Sequence, residues 1–394
     1  MLITNFWHFP EEKASARYTT LATLLAEAGH EVEVVTSSFH HASKRQRDPD
    51  IVHSVGGYKV TLIHEPSYPR NVSLRRLRSH ESFSRSVVRY LGRTPLPDVI
   101  YVVVPSLSLG DHVTSFAKKN RVKVVMDVQD LWPEAFAMAI PSRFLFRALS
   151  LPMMLQANRV YARADALVAV SETYRARVVG KPADRPSLAV YLGLELDRFD
   201  RPTAEPVLVK PDGAIWLAYA GTLGRSYDLP TLIAACALLK ARGGDHIELI
   251  VLGDGPRRAE FEALAAQARV PARFLGFVAY DVMASTLRES DIAVNPIDGR
   301  SEASIINKHA DYLAAGIPMI NSQASSELID LLDRWNAGLT CQPGSPELMA
   351  EALAALIGDP ELRHLMGGNA RRLAEARFDR ASTYPSIVEL VERV

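Results

Sequence analysis

The segment SIINKHADYLAAGIPMI, residues 304–320, places an amide, an ammonium, an imidazole and a carboxylate at Asn307, Lys308, His309 and Asp311 and then turns apolar. It follows the apolar run DIAVNPI and reads as a helix ending at Gly316. The first turn of such a helix offers unpaired N–H groups and the positive end of the dipole, and Lys308 adds a full charge, so an anion is favoured there. Asp311 lies about one turn after Asn307 and faces the same way. Taken alone, the segment is read equally well as a cap and a solvated first turn with Asp311 exposed. A second loop weakens that plain reading. GTLGRSYDL carries Gly221, Thr222, Gly224 and Arg225 directly after the apolar run WLAYAG. Glycines let backbone amides come close to a phosphate, and Arg225 can grip one through two N–H groups. Two anion-friendly loops at one sheet edge point to a diphosphate.

A third polar constellation, DVQDLWPEAF, follows the apolar run VKVVM and brings Asp127, Gln129, Asp130 and Glu134 to the carboxyl end of a strand. Asp130 also suits the cap of a helix begun by Pro133, and the two roles are compatible. Arg17, near the start of the first helix, is a candidate acceptor or phosphate contact, with a surface salt bridge as the alternative. His8, before a proline-containing loop, is a candidate lining residue, whereas His40, His41, His53 and His64 read as loop decoration without zinc spacing.

These residues need elements to hold them. Short apolar runs (MLITNFW, EVEVVTS, VIYVVVP, VKVVMDV, ALVAVS) alternate with helical patterns in the first half. A second series (WLAYAG, IELIVLGDG, ARFLGF, DIAVNPI, PMINS) does the same in the second half. Buried strands alternating with helices imply parallel sheets covered on both faces, hence an α/β class with two Rossmann-like doubly wound domains facing a cleft. The expected division is a first domain over 1–195, a proline- and charge-rich linker over 196–214, a second domain over 215–380, and a C-terminal helix over 381–394 returning to the first. The final helical stretch is expected to break at Gly358, Gly367 and Pro385.

At 394 residues the chain suits two cores. Its 48% hydrophobic and 23% charged content is that of an ordinary folded protein. Two distant cysteines, Cys236 and Cys341, argue against a disulfide framework and for a reducing compartment. No apolar run is long enough to span a membrane and no export leader is evident, so the cytoplasm is expected. Net charge is zero, yet residues 1–200 hold 26 basic against 20 acidic side chains. Much of that excess lies in PRNVSLRRLRSHESFSRSVVRYLGR, with Arg70, Arg75, Arg76, Arg78, Arg85, Arg89 and Arg93. That stretch is either a solvated helix face or a patch for anionic headgroups or a diphosphate.

In this order, ASARYTTLATLLAEAGHEVEVVTS, DVQDLWPEAF, AGTLGRSYDL, IVLGDGP, FLGFV and NKHADYLAAGIPMI resemble the motifs of GT-B glycosyltransferases of family 4, close to bacterial enzymes of surface polysaccharide assembly. The resemblance implies transfer of a sugar from a nucleotide diphosphate sugar, usually with retention, the donor sitting mainly on the second domain. It implies that amides around Gly221 to Gly224, with Arg225 and Lys308, hold the diphosphate. Asp311 would bind ribose hydroxyls, and Gly253, Asp254, Phe277 and Val278 would line the base pocket. In this family two glutamates stand eight positions apart. Here the second is Asp311 and the first position is Ala303, with Glu302 beside it as the candidate replacement. Gln129 stands where many relatives have a histidine, so a sugar contact can survive there but not a proton transfer.

No aspartate pair follows a strand in a way suited to a divalent ion, since Asp330 and Asp333 fall on a helical pattern; no cofactor and no metal are expected. Arg225, Lys308 and helix-end amides would stabilise the leaving diphosphate. The expected reaction moves a hexose or N-acetylhexosamine from a UDP-sugar to a glycan carried on polyprenyl diphosphate, at the inner face of an anionic membrane, with no nucleic-acid partner. A nucleotide-sugar epimerase of the same architecture and a catalytically silent partner subunit are the alternatives. The absence of G-x-G-x-x-G after the first strand counts against a dehydrogenase.

Overall fold

The computed structural model describes residues 1–9, 17–41, 43–48, 53–55, 57–70, 73–139, 142–180, 185–201, 208–244, 246–299 and 305–394. The chain forms two units, Met1–Tyr191 with Thr383–Val394, and Leu192–Ser382. In the first, eight strands run in the order Ser187–Ala189, Ala166–Ala169, Lys123–Val128, Val99–Val104, Leu2–Thr4, Glu33–Ser37, Tyr58–Ile63, His53–Val55. Only the last pair is antiparallel. In the second, six parallel strands run Ala272–Gly276, Ile247–Leu252, Ile215–Ala220, Ile292–Asn295, Met319–Asn321, Gly338–Thr340. Each sheet starts in its middle and reverses direction of growth beside its first strand. The loops leaving the carboxyl ends part at that place, which leaves a crevice suited to a ligand.

Every strand expected from an apolar run is present. His53–Val55, Tyr58–Ile63, Ser187–Ala189 and Gly338–Thr340 complete the sheets; the last three are half-buried, so continuous apolarity does not mark them. Strand parity sorts side chains between two layers. Ile100, Val102, Val124 and Met126 face the helices Leu74–Leu91, Leu107–Asn120 and Arg143–Ala162, whereas Tyr101, Val103 and Val125 face Arg17–Glu27 and Pro385–Glu392.

The boundaries differ from the expected ones. Within 196–214, Leu196–Phe199 is a helical turn with Phe199 fully buried, and Asp200 forms a two-point ion pair with Arg371 at 2.7 Å, so Leu196–Asp200 belongs to the second unit. The helix Pro360–Arg377 runs through Gly367 without a break. A Cβ at Gly367 would stand 2.3 Å from the Gly316 carbonyl oxygen, so this glycine permits close packing on the turn after Asn307–Ala314. Both cysteines are free.

Arg17 and Asp127 depart from the expectation of an accessible contact. Parity turns Asp127 inward, where it is fully buried and accepts Arg17 Nε at 3.0 Å, Tyr101 Oη at 2.8 Å and Gln129 Nε2 at 2.8 Å. Arg17 also donates to the carbonyls of Val190 and Tyr191, each at 3.2 Å, and to Tyr384 Oη at 3.1 Å. The network ties the first helix, a central strand, the end of the first long segment and the returning C-terminus. Arg17→Met leaves Asp127 as an uncompensated buried charge and is expected to cost about 3–5 kcal/mol, read by denaturant unfolding, with Asp127→Leu in the same chain recovering part of the loss.

Candidate functional site

In the second unit three strand ends converge on glycine. Gly221, after Ile215–Ala220, has φ +150, and its N–H donates to Leu252 at 2.8 Å. Gly253, after Ile247–Leu252, has φ +140 and donates to Gly276 at 2.8 Å. A Cβ on Gly253 would lie 1.9 Å from the Gly221 carbonyl oxygen, and one on Gly255 would lie 2.4 Å from that of Leu223. The GTLG and GDGP segments therefore need glycine to pass each other. The loop is also tied across the switch point, since Asp228 N–H donates to Pro296 at 2.9 Å and Asp298 N–H to Ser226 at 3.0 Å. Arg225, exposed, lines a cavity of about 410 Å³ there with Tyr227, Asp228, Pro230, Arg257 and Asp298.

The helix Asn307–Ala314 is fixed to this loop by residues that read as bland in sequence. Tyr312 Oη accepts the Ala220 N–H at 2.7 Å and donates to the Ala220 carbonyl at 3.2 Å, satisfying the strand's last backbone pair. His309, fully buried, accepts the Ile306 N–H on Nδ1 at 3.2 Å and so caps its own helix. Gly316, at φ +68, ends the helix as expected.

Lys308 is not solvated. It is buried against Gly221, with Nζ 4.2 Å and 4.9 Å from the ring centroids of Tyr227 and Tyr219. Among the described residues its ammonium has no hydrogen-bond acceptor. Burial holds its pKa well below the usual lysine range, although the two aromatic faces favour the cation. Asp311 is half-buried and accepts Tyr280 Oη at 3.1 Å; burial raises its carboxyl to about 7. Asn307 and Thr222 are exposed, as is Asp254, whose Oδ1 accepts the N–H of Gly255 at 2.7 Å. Phe277 is 89% exposed just beyond Gly276, and Val278 is half-buried. The structure thus brings Gly221, Arg225 and Lys308 to one loop and Asp311 to the adjoining helix. Glu302 and Ala303 lie outside the described residues.

In the first unit, Gln129 is held by Asp127, and Asp130 accepts Tyr174 Oη at 3.3 Å while burial raises its carboxyl. Glu134 opens a 3-10 helix, Glu134–Ala139, and is paired with Arg177 at 2.6 Å, so it is engaged within its own unit. His8 packs edge-on to His40 at 5.6 Å. His40 lies on the short strand Phe39–His40 and His53 on His53–Val55, so neither belongs to a loop. Sequence reasoning gave no role to an aromatic group beside Asp130. Trp132 stacks on the buried His80 at 6.0 Å and lies 5.0 Å under Arg76; Tyr68 Oη meets His41 Nδ1 at 2.5 Å. Burial first, then neighbouring cations, push His80 down to about 3 and His41 to about 4. The only advance signal was the tryptophan inside DLWPE.

Two family models match the chain: a glycosyl transferase 4-like domain over 14–191 and glycosyl transferases group 1 over 214–359. The chain is 26% identical over 162 residues to alpha-D-kanosaminyltransferase of Streptomyces kanamyceticus, 41% of each protein, so the match spans about two fifths of that relative's length. It resembles the structure of Anabaena HepE in complex with UDP, with TM-score 0.70, 15% identity, and coverage of 100% and 99% of the two chains. It also resembles WaaG, described as a glycosyltransferase involved in lipopolysaccharide biosynthesis, with TM-score 0.67, 18% identity, and coverage of 99% and 98%.

Two measurements test this geometry. Tyr312→Phe strands the buried Ala220 N–H and is expected to cost about 1–3 kcal/mol in denaturant unfolding. Asp311 has a folded pKa raised above its ordinary value, so its contribution is full below about pH 4 and fades as pH rises through about 7. Asp311→Asn is expected to flatten the melting temperature over that window.

Proposed function

Because the chain belongs, through both of its domains, to the GT-B glycosyltransferases, we propose that it moves a glycosyl group from a nucleotide diphosphate sugar to a glycan acceptor. The observation that carries this reading is Lys308, a buried ammonium that has no acceptor among the described residues, set against a glycine loop at the switch point of a parallel sheet. Loop amides at 221–224, Arg225 and Lys308 would hold the diphosphate. Asp311 would take ribose hydroxyls, and Phe277 with Val278 would meet the base. A UDP-hexose or UDP-N-acetylhexosamine is our choice of donor, and the UDP complex of the Anabaena neighbour supports the nucleotide.

The chemistry follows from charge. As the bond between the anomeric carbon and the diphosphate oxygen breaks, negative charge gathers on the leaving phosphate. Cations and amides fixed in a low-dielectric loop stabilise that charge more than the ground state. We propose front-face attack with retention: the acceptor hydroxyl oxygen bonds to the anomeric carbon and its proton passes to the departing phosphate oxygen, with no metal required. Gln129, lacking a transferable proton, would only contact the sugar, and Glu302 would stand in for the carboxylate missing at Ala303. The acceptor would be a glycan on polyprenyl diphosphate in bacterial surface polysaccharide assembly, held near Asp130 and His8 by the first unit.

Donor binding should change the state of Lys308. Its ammonium is disfavoured by burial, and a diphosphate supplies the counter-charge, so proton uptake should accompany binding. Calorimetry of UDP binding in buffers of different ionisation enthalpy is expected to reveal that uptake. Lys308→Met is expected to abolish it and weaken UDP by at least about tenfold, roughly 1.4 kcal/mol, while leaving the melting temperature unchanged or higher. UDP affinity unaltered by Lys308→Met overturns the assignment. A product assay with UDP-sugars and polyprenyl-diphosphate acceptors tests the reaction, and an epimer formed from donor alone would replace it.

A further inference from the structure

The helix Arg143–Ala162 buries one face and leaves a large apolar face in water. Ala157, Val160 and Tyr161 lie in the core of the first unit, with Met153 half-buried against it. On the other side Phe144 is 84% exposed and Leu149 63%, and Leu145, Leu151 and Leu155 are also exposed. Positions 144, 148, 151 and 155, with 145 and 149 beside them, follow the 3.6-residue period, so these side chains make one stripe. No other element among the described residues leaves so many large apolar side chains in water. Two more, Leu74 and Leu77, project from the start of Leu74–Leu91. That helix packs on Leu107–Asn120, which packs on Arg143–Ala162. All three cover the same face of the sheet.

Charge decides what such a surface meets. The twenty residues RFLFRALSLPMMLQANRVYA hold Arg143, Arg147 and Arg159 and no acidic residue, although Arg159 is paired with Asp111 of Leu107–Asn120 at 2.9 Å. Arg147 is exposed at the spacing of the stripe, and Arg75, Arg78, Arg85 and Arg89 are exposed on Leu74–Leu91. Arg76 leaves that row because it lies over Trp132. A second copy docked by twofold symmetry would set like charges together. An anionic lipid surface accepts both the leucines and the arginines. No helix among the described residues is long and apolar enough to cross a membrane, so the contact would be interfacial.

We propose that Arg143–Ala162 docks the protein on an anionic bilayer, lying in the interface with Phe144, Leu145, Leu149, Leu151 and Leu155 beneath the headgroups and arginines at the phosphates. Its purpose rests on the lipid-carried acceptor proposed above; its geometry does not. The test is co-sedimentation with vesicles of phosphatidylethanolamine and phosphatidylglycerol, compared with phosphatidylcholine alone. The wild-type protein is expected to bind the anionic vesicles, less so in high salt. Phe144→Ser with Leu149→Ser is expected to weaken binding by at least about tenfold, and Arg147→Glu to weaken it on anionic vesicles only. Leu145→Cys carrying an environment-sensitive fluorophore is expected to shift to the blue on those vesicles. An unchanged circular dichroism spectrum and denaturant-unfolding midpoint report that the variants are folded. Absent vesicle binding, serine variants that bind like wild type, or a solution dimer that Leu149→Ser converts to monomer would each overturn the proposal. Vesicle binding without transfer to a lipid-linked acceptor sustains docking and removes the acceptor reading.

Discussion

The second unit depends on how closely its backbone can pass itself at Gly221. Three strand ends meet there without side chains, because a Cβ on Gly253 would overlap the Gly221 carbonyl. Tyr312 closes the last backbone pair of the central strand and so fixes the Asn307–Ala314 helix relative to the same loop. With both sides of the crevice pinned, the Lys308 side chain has one place to go, under the loop and between two tyrosine rings. The low dielectric that makes an isolated ammonium unfavourable there would make its attraction to an anion strong.

The two units use buried charge in opposite ways. In the first, Arg17 and Asp127 satisfy each other and nearly every donor and acceptor around them, so their electrostatics serve assembly. In the second, Lys308 is left without a counter-charge among the described residues. A paired buried charge holds structure together, and an unpaired one is an unmet demand that a ligand can answer.

The alternating apolar runs made the doubly wound architecture legible, since a strand covered on both faces has no polar positions to disguise it. GTLGRSYDL and NKHADYLAAG marked the glycine loop and the helix beside it, because glycine and cationic residues at a strand's carboxyl end have few structural substitutes. Individual roles were harder to read. Asp127 stands in a polar motif, yet parity with Val125 sends it into the core, a fact available from VKVVMDV by counting in twos. His309 and Tyr312 looked like a polar and an apolar neighbour, but each closes a backbone hydrogen bond whose partner is known only once the fold exists. Trp132, His80, Arg76 and Tyr68 come together from separated segments, and no local pattern announces such a meeting.

The returning tail has a consequence for how the chain is made. Tyr384 receives one of the hydrogen bonds of Arg17, and Ile387, Val388 and Leu390 fill the layer over the first helix. The second unit is contained within Leu192–Ser382, so all of it has left the ribosome before the first unit's last residues appear. During synthesis the earlier-born half therefore waits with a buried-charge network one partner short. The half that holds Lys308 can reach its final packing first.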